Sequence, residues 1–303
     1  MARKVPKAAN AERVQAKAGM LFCLPWILGL AIFYAYPLLS SIFYSFSAYN
    51  VVSPYKWVGL LNYQMLLKDK VFWIGISNTL IYAAMAVPLS ALIGILLALL
   101  LNVKLPGRGI FRTVFYMPTL VPVVATSILW QWLLNPQFGV VNYLISLFGI
   151  QGPPWLGDPS WAKPSLVLMA QWTLGNAVIV YLAGLQDISR DFYEAADIDG
   201  AGTFQKSMHI TLPLLTPVIF FNVVMSVINT LQVFTLPYAL TLGTGKPANS
   251  LMFYSMYLYN NAFAYMKMGY ASAMAWILFV IIIAFTLLLF RSSNNWVFYQ
   301  DEG

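Results

Sequence analysis

Long stretches without a charged residue constrain the fold of this 303-residue chain more than any other feature of its sequence. An α-helix needs about 20 apolar residues to cross the roughly 30 Å hydrocarbon core of a bilayer. Six stretches meet this need, and they predict an all-α polytopic membrane protein with six transmembrane helices. We expect the first span to be retained, since no small-residue cleavage signal interrupts its long apolar region. The predicted spans are 20–44, 72–102, 113–134, 164–186, 214–236 and 268–290.

The amino-acid composition excludes most other classes of protein. Hydrophobic residues make up 60% of the chain and charged residues 9%, against about 25% charged in an ordinary soluble domain. This excludes disordered chains and secreted disulfide scaffolds. The single cysteine, Cys23, cannot close an intrachain disulfide, and with His209 as the single histidine a metal site is not expected. The apolar stretches also lack the period-two alternation of transmembrane β-strands.

The placement of the basic residues indicates membrane topology. The net charge is +7, but the 17 lysines and arginines lie between apolar stretches and not in an aromatic-interleaved patch, so no nucleic-acid partner is expected. A cytoplasmic N-terminus puts 11 of them inside and 6 outside, which favours both termini in the cytoplasm. We therefore predict cytoplasmic tails at 1–18 and 291–303 around a membrane domain at 19–290. The inner residues are Arg3, Lys4, Lys7, Arg13, Lys17, Lys104, Arg108, Arg112, Arg190, Lys206 and Arg291.

Small residues recur four positions apart in two of the predicted spans. They are Ser90, Gly94 and Ala98 in the second span, and Gly269 and Ala273 in the sixth. Small side chains at this spacing let neighbouring helices approach closely. We interpret them as packing positions.

The predicted inner loop at 187–213 is unusually acidic. Asp187, Asp191 and Glu194 fall at i, i+4 and i+7, on one face of a short helix. Gly200 and Gly202 then stop the helix and turn the chain. Two interpretations remain open: the helix inserts into a groove on another protein and pairs its carboxylates with arginines, or it is a solvated helix whose charges keep it out of lipid.

Polar residues also line one face of the fifth predicted span. Asn222, Ser226 and Asn229 lie at i, i+4 and i+7 in a helix that is otherwise apolar. Polar side chains inside a membrane usually face the bundle interior or a wet cavity. The pattern allows two interpretations equally: the groups contact a polar substrate, or they hydrogen-bond neighbouring helices.

No motif in the sequence indicates catalysis. The segment from Gly243 to Pro247 lacks the spacing of a phosphate-binding P-loop, and every carboxylate lies in a loop or tail. We therefore expect this chain not to be an enzyme. A secondary transporter or channel is the rival class, but it would need an ionisable residue inside a span for ion coupling, and the predicted spans contain none.

The acidic loop resembles the EAA loop of ABC importer permeases. The matching residues are Glu194-Ala195-Ala196-x-x-Asp199-Gly200-Ala201, followed by Ile210-x-Leu212-Pro213. The resemblance extends over almost the whole chain and points to carbohydrate-uptake permeases, specifically the first, maltose- and glycerol-phosphate-type member of the pair. Ser189 departs from the usual proline, and Ser207 from the usual aromatic residue. Further matching segments are Trp57–Tyr63, Asn78-Thr79, Pro118–Pro122, Trp130–Asn135, Phe138–Tyr143, Ala183–Gln186, Gly269–Trp276 and Trp296–Tyr299.

The resemblance implies a type I ABC importer permease in the bacterial cytoplasmic (inner) membrane, spanning it several times. It implies a heterodimer with a second permease subunit, and two ABC ATPase subunits that bind ATP and magnesium, so that this chain itself holds no cofactor. An extracytoplasmic solute-binding protein would deliver a sugar substrate. The residues implied to couple to the ATPase are Glu194, Ala195, Ala196, Asp199, Gly200 and Ala201.

The resemblance also implies positions for the sugar pocket. Alignment from Leu215-Thr-Pro217 places Asn222, Ser226 and Asn229 on pocket-lining positions of the maltose-type permease. Four further residues match pocket positions in the same way. They are Thr119 and Val123 after Pro118, and Trp172 and Asn176 in the fourth span.

Overall fold

The computed structural model describes residues 8–103 and 106–298, with side chains from residue 15 onward. Within these ranges the chain is helical apart from β1 (Ser47–Ala48) and β2 (Lys56–Trp57), which pair antiparallel with Ser47 opposite Trp57. Some residues used in the sequence analysis lie outside the described ranges. They are Arg3, Lys4 and Lys7 of the predicted N-terminal tail, Lys104 of an inner loop, and Tyr299 of the closing motif.

The first apolar stretch forms one long helix in three parts. Helix α1 (Ala8–Leu30) continues through a π-helical segment (Ala31–Ala35) into α2 (Tyr36–Ser45). Most of its large apolar side chains are exposed, and Phe22 is 87% exposed. Such a surface requires a lipid or protein neighbour, since apolar area in water is unfavourable. The C-terminal part of this long helix, α2, packs against the last helix of the chain.

Asp69 fixes the start of the second long helix. It separates α3 (Leu61–Lys68) from α4 (Lys70–Asn102), and its Oδ1 accepts the N–H of Val71 at 2.8 Å as an N-cap. Its Oδ2 accepts the hydroxyls of Tyr257 at 2.5 Å and Tyr270 at 2.6 Å. Burial raises the pKa of Asp69, but the tyrosine and backbone hydrogen bonds outweigh it and hold the pKa below its usual value. The Asp69 carboxylate thereby ties the start of α4 to the C-terminal helices that carry Tyr257 and Tyr270.

The third predicted span is not one straight helix. Helix α5 (Arg108–Tyr116) and a 3₁₀ turn (Met117–Leu120) are bent by 100° from α6 (Val123–Leu133). Pro122 explains the break, because proline has no N–H to continue the helix and pushes Val121 into an extended conformation, with ψ of 129°. Helix α7 (Val140–Ser146) follows.

The fourth predicted span is also bent. Helix α8 (Pro159–Gln171) meets α9 (Gly175–Asp187) at 51°. Helix α8 begins earlier than the predicted residue 164, so Lys163 lies within it and donates to Asn78 Oδ1 at 3.1 Å.

The remaining helices are α10 (Arg190–Ile198), α11 (Thr203–Lys206), a π-helical segment (Ser207–Thr211), α12 (Leu212–Leu231), α13 (Thr235–Thr241), α14 (Tyr254–Tyr259), a second π-helical segment (Asn260–Ala264) and α15 (Met268–Ser293).

Four helical stretches in the described residues are long and apolar enough to cross a membrane: 15–45, 70–102, 203–241 and 268–293. The number rises to six if each of the two bent pairs is counted as one span. The predicted count of six therefore depends on whether α5–α6 and α8–α9 each cross the bilayer.

Helix α4 is the centre of the bundle and packs against α8, α9, α12 and α14. Gly94 allows a close approach of α9, because a Cβ there would lie 2.9 Å from the ring of Tyr181. Ala98 is fully buried beside Tyr181 and Leu215. The packing interpretation of Gly94 and Ala98 is thus confirmed, while Ser90 donates a hydrogen bond to Gln171 at 3.2 Å.

Candidate functional site

The EAA loop begins with a capped helix. The Ser189 hydroxyl accepts the N–H of Asp191 at 3.3 Å, which makes Ser189 the N-cap of α10. Serine is a preferred N-cap because its oxygen satisfies an N–H that the first turn leaves free. Ser189, which stands where the family usually has proline, therefore still starts a helix.

Gly200 ends α10 in a left-handed conformation, with φ of +72°. The N–H of Ala201 bonds to the carbonyl of Ala196 at 2.9 Å, and that of Gly200 to the carbonyl of Asp197 at 3.1 Å. This pair of bonds is a Schellman motif, which favours glycine because a Cβ is strained at positive φ. The sequence prediction that Gly200 stops the helix is confirmed.

Two contacts hold α10 against the segment that leads into α12, and a third caps α11 between them. The hydroxyls of Tyr193 and Thr211 are 2.9 Å apart, and the Lys206 ammonium pairs with the Asp197 carboxylate. The N–H of Gly202 donates to the Gln205 side chain at 2.9 Å, which closes the turn between α10 and α11. The EAA loop is therefore a folded unit joined to the long α12 helix.

The residues of the EAA motif point away from the bundle. Glu194, Ala195, Asp199 and Gly200 are exposed, while Ala196 and Ala201 are half-buried. Ile198 is 88% exposed and Phe204 is 73% exposed, one on each side of the Gly200 turn. The sequence analysis did not single out these two side chains, which flank the exposed motif residues.

The polar stripe of α12 is only partly covered by the other helices that the structure describes. Asn222 donates to the carbonyl of Val218, one turn earlier on its own helix, at 3.0 Å. Asn222 and Ser226 are half-buried and Asn229 is exposed. Within the described residues, none of the three side chains hydrogen-bonds to another helix. The described residues thus lack the hydrogen bonds to neighbouring helices that one of the two interpretations of this stripe required.

The four other predicted pocket residues lie at the two bends. Thr119 lies against the start of α9, since a Cβ on Gly175 would meet its methyl group at 2.7 Å. Val123 begins α6, and both Val123 and Asn176 are exposed. Trp172 is half-exposed and packs edge-to-face on Trp130 with ring centres 6.0 Å apart. No hydrogen bond in the described chain joins these residues to the α12 stripe.

The described residues contain no cluster of three or more histidine, cysteine, aspartate or glutamate side chains that could hold a metal. Lys163 of α8 is half-buried, and its partners are neutral oxygens of Asn78 and, at 3.5 Å, Ser250. Its place near the start of α8 is consistent with a structural role in tying α8 to α4.

Comparison with known proteins identifies the family. Residues 90–297 match the family described as "Binding-protein-dependent transport system inner membrane component". The chain is 38% identical to the probable ABC transporter permease protein YesP of Bacillus subtilis, over 98% of this chain and 96% of YesP. It is 38% identical to the lactose transport system permease protein LacF of Rhizobium radiobacter, over 91% of this chain and 94% of LacF.

A solved structure has the same fold. A chain of a bacterial alginate ABC transporter, crystallised in complex with an alginate pentasaccharide-bound periplasmic protein, superposes with a TM-score of 0.80. The two chains are 26% identical over 94% of this chain and 96% of the other. Such relatives are transport permease subunits and not enzymes, and permease subunits of ABC importers bind no cofactor themselves. This chain therefore belongs to the binding-protein-dependent transport system inner membrane components, as a multi-pass permease of the cytoplasmic membrane.

Proposed function

We propose that this chain is the permease subunit of an ATP-driven, binding-protein-dependent importer for a carbohydrate. The observation that carries the proposal is the EAA loop, because it is anchored to α12 and directs Glu194, Ile198 and Asp199 away from the bundle. The substrate class is supported by relatives that carry lactose and alginate, which are both saccharides. In this arrangement the chain forms half of the translocation path.

The proposed topology has six spans, with α5–α6 and α8–α9 each counted as one bent span. Both termini and the EAA loop then lie in the cytoplasm, in agreement with the excess of basic residues on that side. Bent spans are tolerated in membranes where neighbouring helices or a water-filled cavity satisfy the freed backbone groups. The bend regions next to Thr119 and Trp172 would thus lie near the path.

The proposed partners are a second permease, two ABC ATPase subunits that bind ATP and magnesium, and an external solute-binding protein. A partner permease is supported by the polar stripe of α12, which the described residues leave partly exposed. ATPase contact is proposed for Glu194, Ala195, Ala196, Asp199, Gly200 and Ala201. Movement of the ATPase pair would reach α12 through the contacts of Tyr193 and Asp197, as a rigid-body motion between two packed states.

The requirement for an ATPase subunit tests this function. Vesicles that contain this chain alone should take up no lactose and no alginate pentasaccharide, with or without ATP. Vesicles with the whole complex should take up its sugar only when ATP is present on the EAA side. The chain should also co-purify with a P-loop ATPase. Sugar uptake by the lone chain in ATP-free vesicles would contradict the proposal and favour a secondary transporter.

We further propose that Asn222, Ser226 and Asn229 contact the sugar, with Thr119, Val123, Trp172 and Asn176 at the edge of the same site. Amide and hydroxyl groups are suitable partners for neutral sugar hydroxyls, because they both donate and accept. An aromatic ring such as that of Trp172 offers a flat apolar face to the C–H groups of a sugar.

Substitutions in the polar stripe of α12 should change the sugar dependence of ATP hydrolysis more than they change assembly of the complex. Each lost hydrogen bond is worth about 1 kcal/mol, so Asn229→Ala should raise the sugar concentration for half-maximal ATP hydrolysis about fivefold, and the Asn222→Ala/Asn229→Ala pair about thirtyfold. Thr230→Ala is the matched control, because its hydroxyl bonds to the Ser226 carbonyl of its own helix at 2.8 Å. Unchanged substrate dependence in all variants at 222, 226 and 229 would reject this site.

A further inference from the structure

A cavity of about 800 Å³ opens beside the EAA loop, between the ends of three helices. Its polar lining comes from Asn102 at the end of α4, Arg108 at the start of α5, Gln186 near the end of α9, and Arg190 and Tyr193 of α10. Two arginines, two amides and a phenol are all able to donate hydrogen bonds. The cavity is therefore equipped to hold an anion.

The arginines near this cavity lack carboxylate partners. In the described residues the ion pair is that of Lys206 with Asp197, so Arg108, Arg112 and Arg190 have no carboxylate within 4.0 Å. Arg112 lies one turn beyond Arg108 on the same face of α5. Its Nε and Nη2 are buried and have no hydrogen-bond partner in the described part of the chain. Buried charged donors without partners are costly, so Arg112, one turn from the cavity-lining Arg108, favours a negative charge nearby.

The position of the two arginines on α5 adds to their need for a negative charge. Like charges at i and i+4 repel each other on a helix. Arg108 is also the first residue of α5, where the helix dipole is positive, and no acidic side chain occupies the first turn. An anion in the cavity would relieve both repulsions.

We infer that this cavity binds the phosphate of an anionic phospholipid. Arginine pairs with phosphate through two parallel hydrogen bonds, and basic pockets at the cytoplasmic ends of spans suit anionic headgroups. The apolar surface of α5 favours a lipid over a soluble anion, because Ile110, Phe111 and Val114 are exposed and can contact acyl chains. The choice of the inner leaflet rests on the proposed topology, whereas the binding itself does not.

Native mass spectrometry of the purified full-length chain tests this site. Phosphatidylglycerol and phosphatidylcholine with the same acyl chains are titrated separately. The wild type should bind phosphatidylglycerol more tightly. Arg108→Gln/Arg112→Gln should bind it about thirtyfold more weakly, since each basic residue near an anionic membrane surface contributes about a fivefold gain in affinity. Binding of phosphatidylcholine should not change.

Two further variants keep the test independent of folding defects. Arg190→Gln alters an exposed residue and should weaken phosphatidylglycerol binding about fivefold. Arg291→Gln is the matched control, because this arginine lies in the last turn of α15 and does not line the cavity, and it should bind as the wild type does. Equal phosphatidylglycerol affinity in the wild type and in Arg190→Gln and the double variant would overturn the inference.

Competing ligands give distinct outcomes. Displacement of phosphatidylglycerol by millimolar inorganic phosphate would indicate a soluble-anion site and overturn the lipid assignment. Loss of ATPase co-purification in the double variant, with lipid binding unchanged, would assign the arginines to the ATPase instead. Neither outcome bears on sugar uptake by the wild-type complex, so failure of this inference is distinguishable from failure of the proposed function.

Discussion

An Ile198→Asp permease should fold and reach the membrane in normal amounts, yet its complex should lose ATP-driven sugar uptake. Ile198 is 88% exposed in this chain, so a charge there costs the isolated permease little. We expect the same side chain to contact the ATPase next to the proposed motif residues, where a desolvated carboxylate is unfavourable. Loss of a central contact of this kind is worth about 2–4 kcal/mol, which weakens ATPase binding by at least thirtyfold.

Co-purification of the ATPase and ATP-dependent uptake in vesicles measure this effect. Ile198→Leu is the matched control and should retain both, because it keeps an apolar side chain of the same volume. Glu194→Ala and Gly200→Val should impair the same two readouts, the latter because a β-branched residue is strained at φ of +72°. Binding of the external solute-binding protein should be intact in all four. Full uptake by Ile198→Asp together with Glu194→Ala and Gly200→Val would mean that the EAA loop is not the coupling element.

The features that the sequence predicted well depend on local chemistry. The helical membrane class follows from the length of the apolar stretches, and the end of α10 follows from the need for glycine at positive φ at position 200. The family was predictable for the same reason, because Glu194 to Pro213 form a contiguous motif. Contacts distant in the chain play no part in these conclusions.

The two bends show where local chemistry is insufficient. Pro122 was a visible cause for the break between α5 and α6, but its angle of 100° depends on how the two segments pack. The bend between α8 and α9 has no proline at residues 172–174. There Gly175, the first residue of α9, packs so closely that an added Cβ would lie 2.9 Å from the carbonyl oxygen of Phe115. Such a contact between distant segments is absent from a sequence pattern.

The functional surfaces were predicted to different extents. The motif residues of the EAA loop were identified, but Ile198 and Phe204 were not, because the exposure of an apolar side chain is known only once the loop is folded. The arginine-lined cavity was missed for a similar reason. Arg108 and Arg190 are 82 positions apart in the sequence. They line the same cavity because α5 packs against α9, the helix that precedes Arg190.

Gly269→Ala should destabilise the permease by about 3 kcal/mol, at the upper end of the cost of an added methyl group in a tightly packed site. A Cβ at this position would lie 1.9 Å from the carbonyl oxygen of Ser47, at the start of β1. That oxygen cannot move freely, because it also accepts a hydrogen bond from Asn62 at 3.0 Å. The sequence identified Gly269 as a helix-packing position, whereas its tight neighbour is the backbone of the β1–β2 hairpin.

Thermal unfolding of the detergent-solubilised chain measures this prediction. A loss of about 3 kcal/mol corresponds to a midpoint roughly 5–10 °C below that of the wild type. Gly29→Ala is the matched control, because it lies within helix α1 and no atom approaches within 4 Å of its added Cβ. Its midpoint should stay unchanged or rise slightly, since alanine favours helices over glycine. Equal midpoints for the two variants would mean that the hairpin yields to the methyl group and does not fix the start of α15.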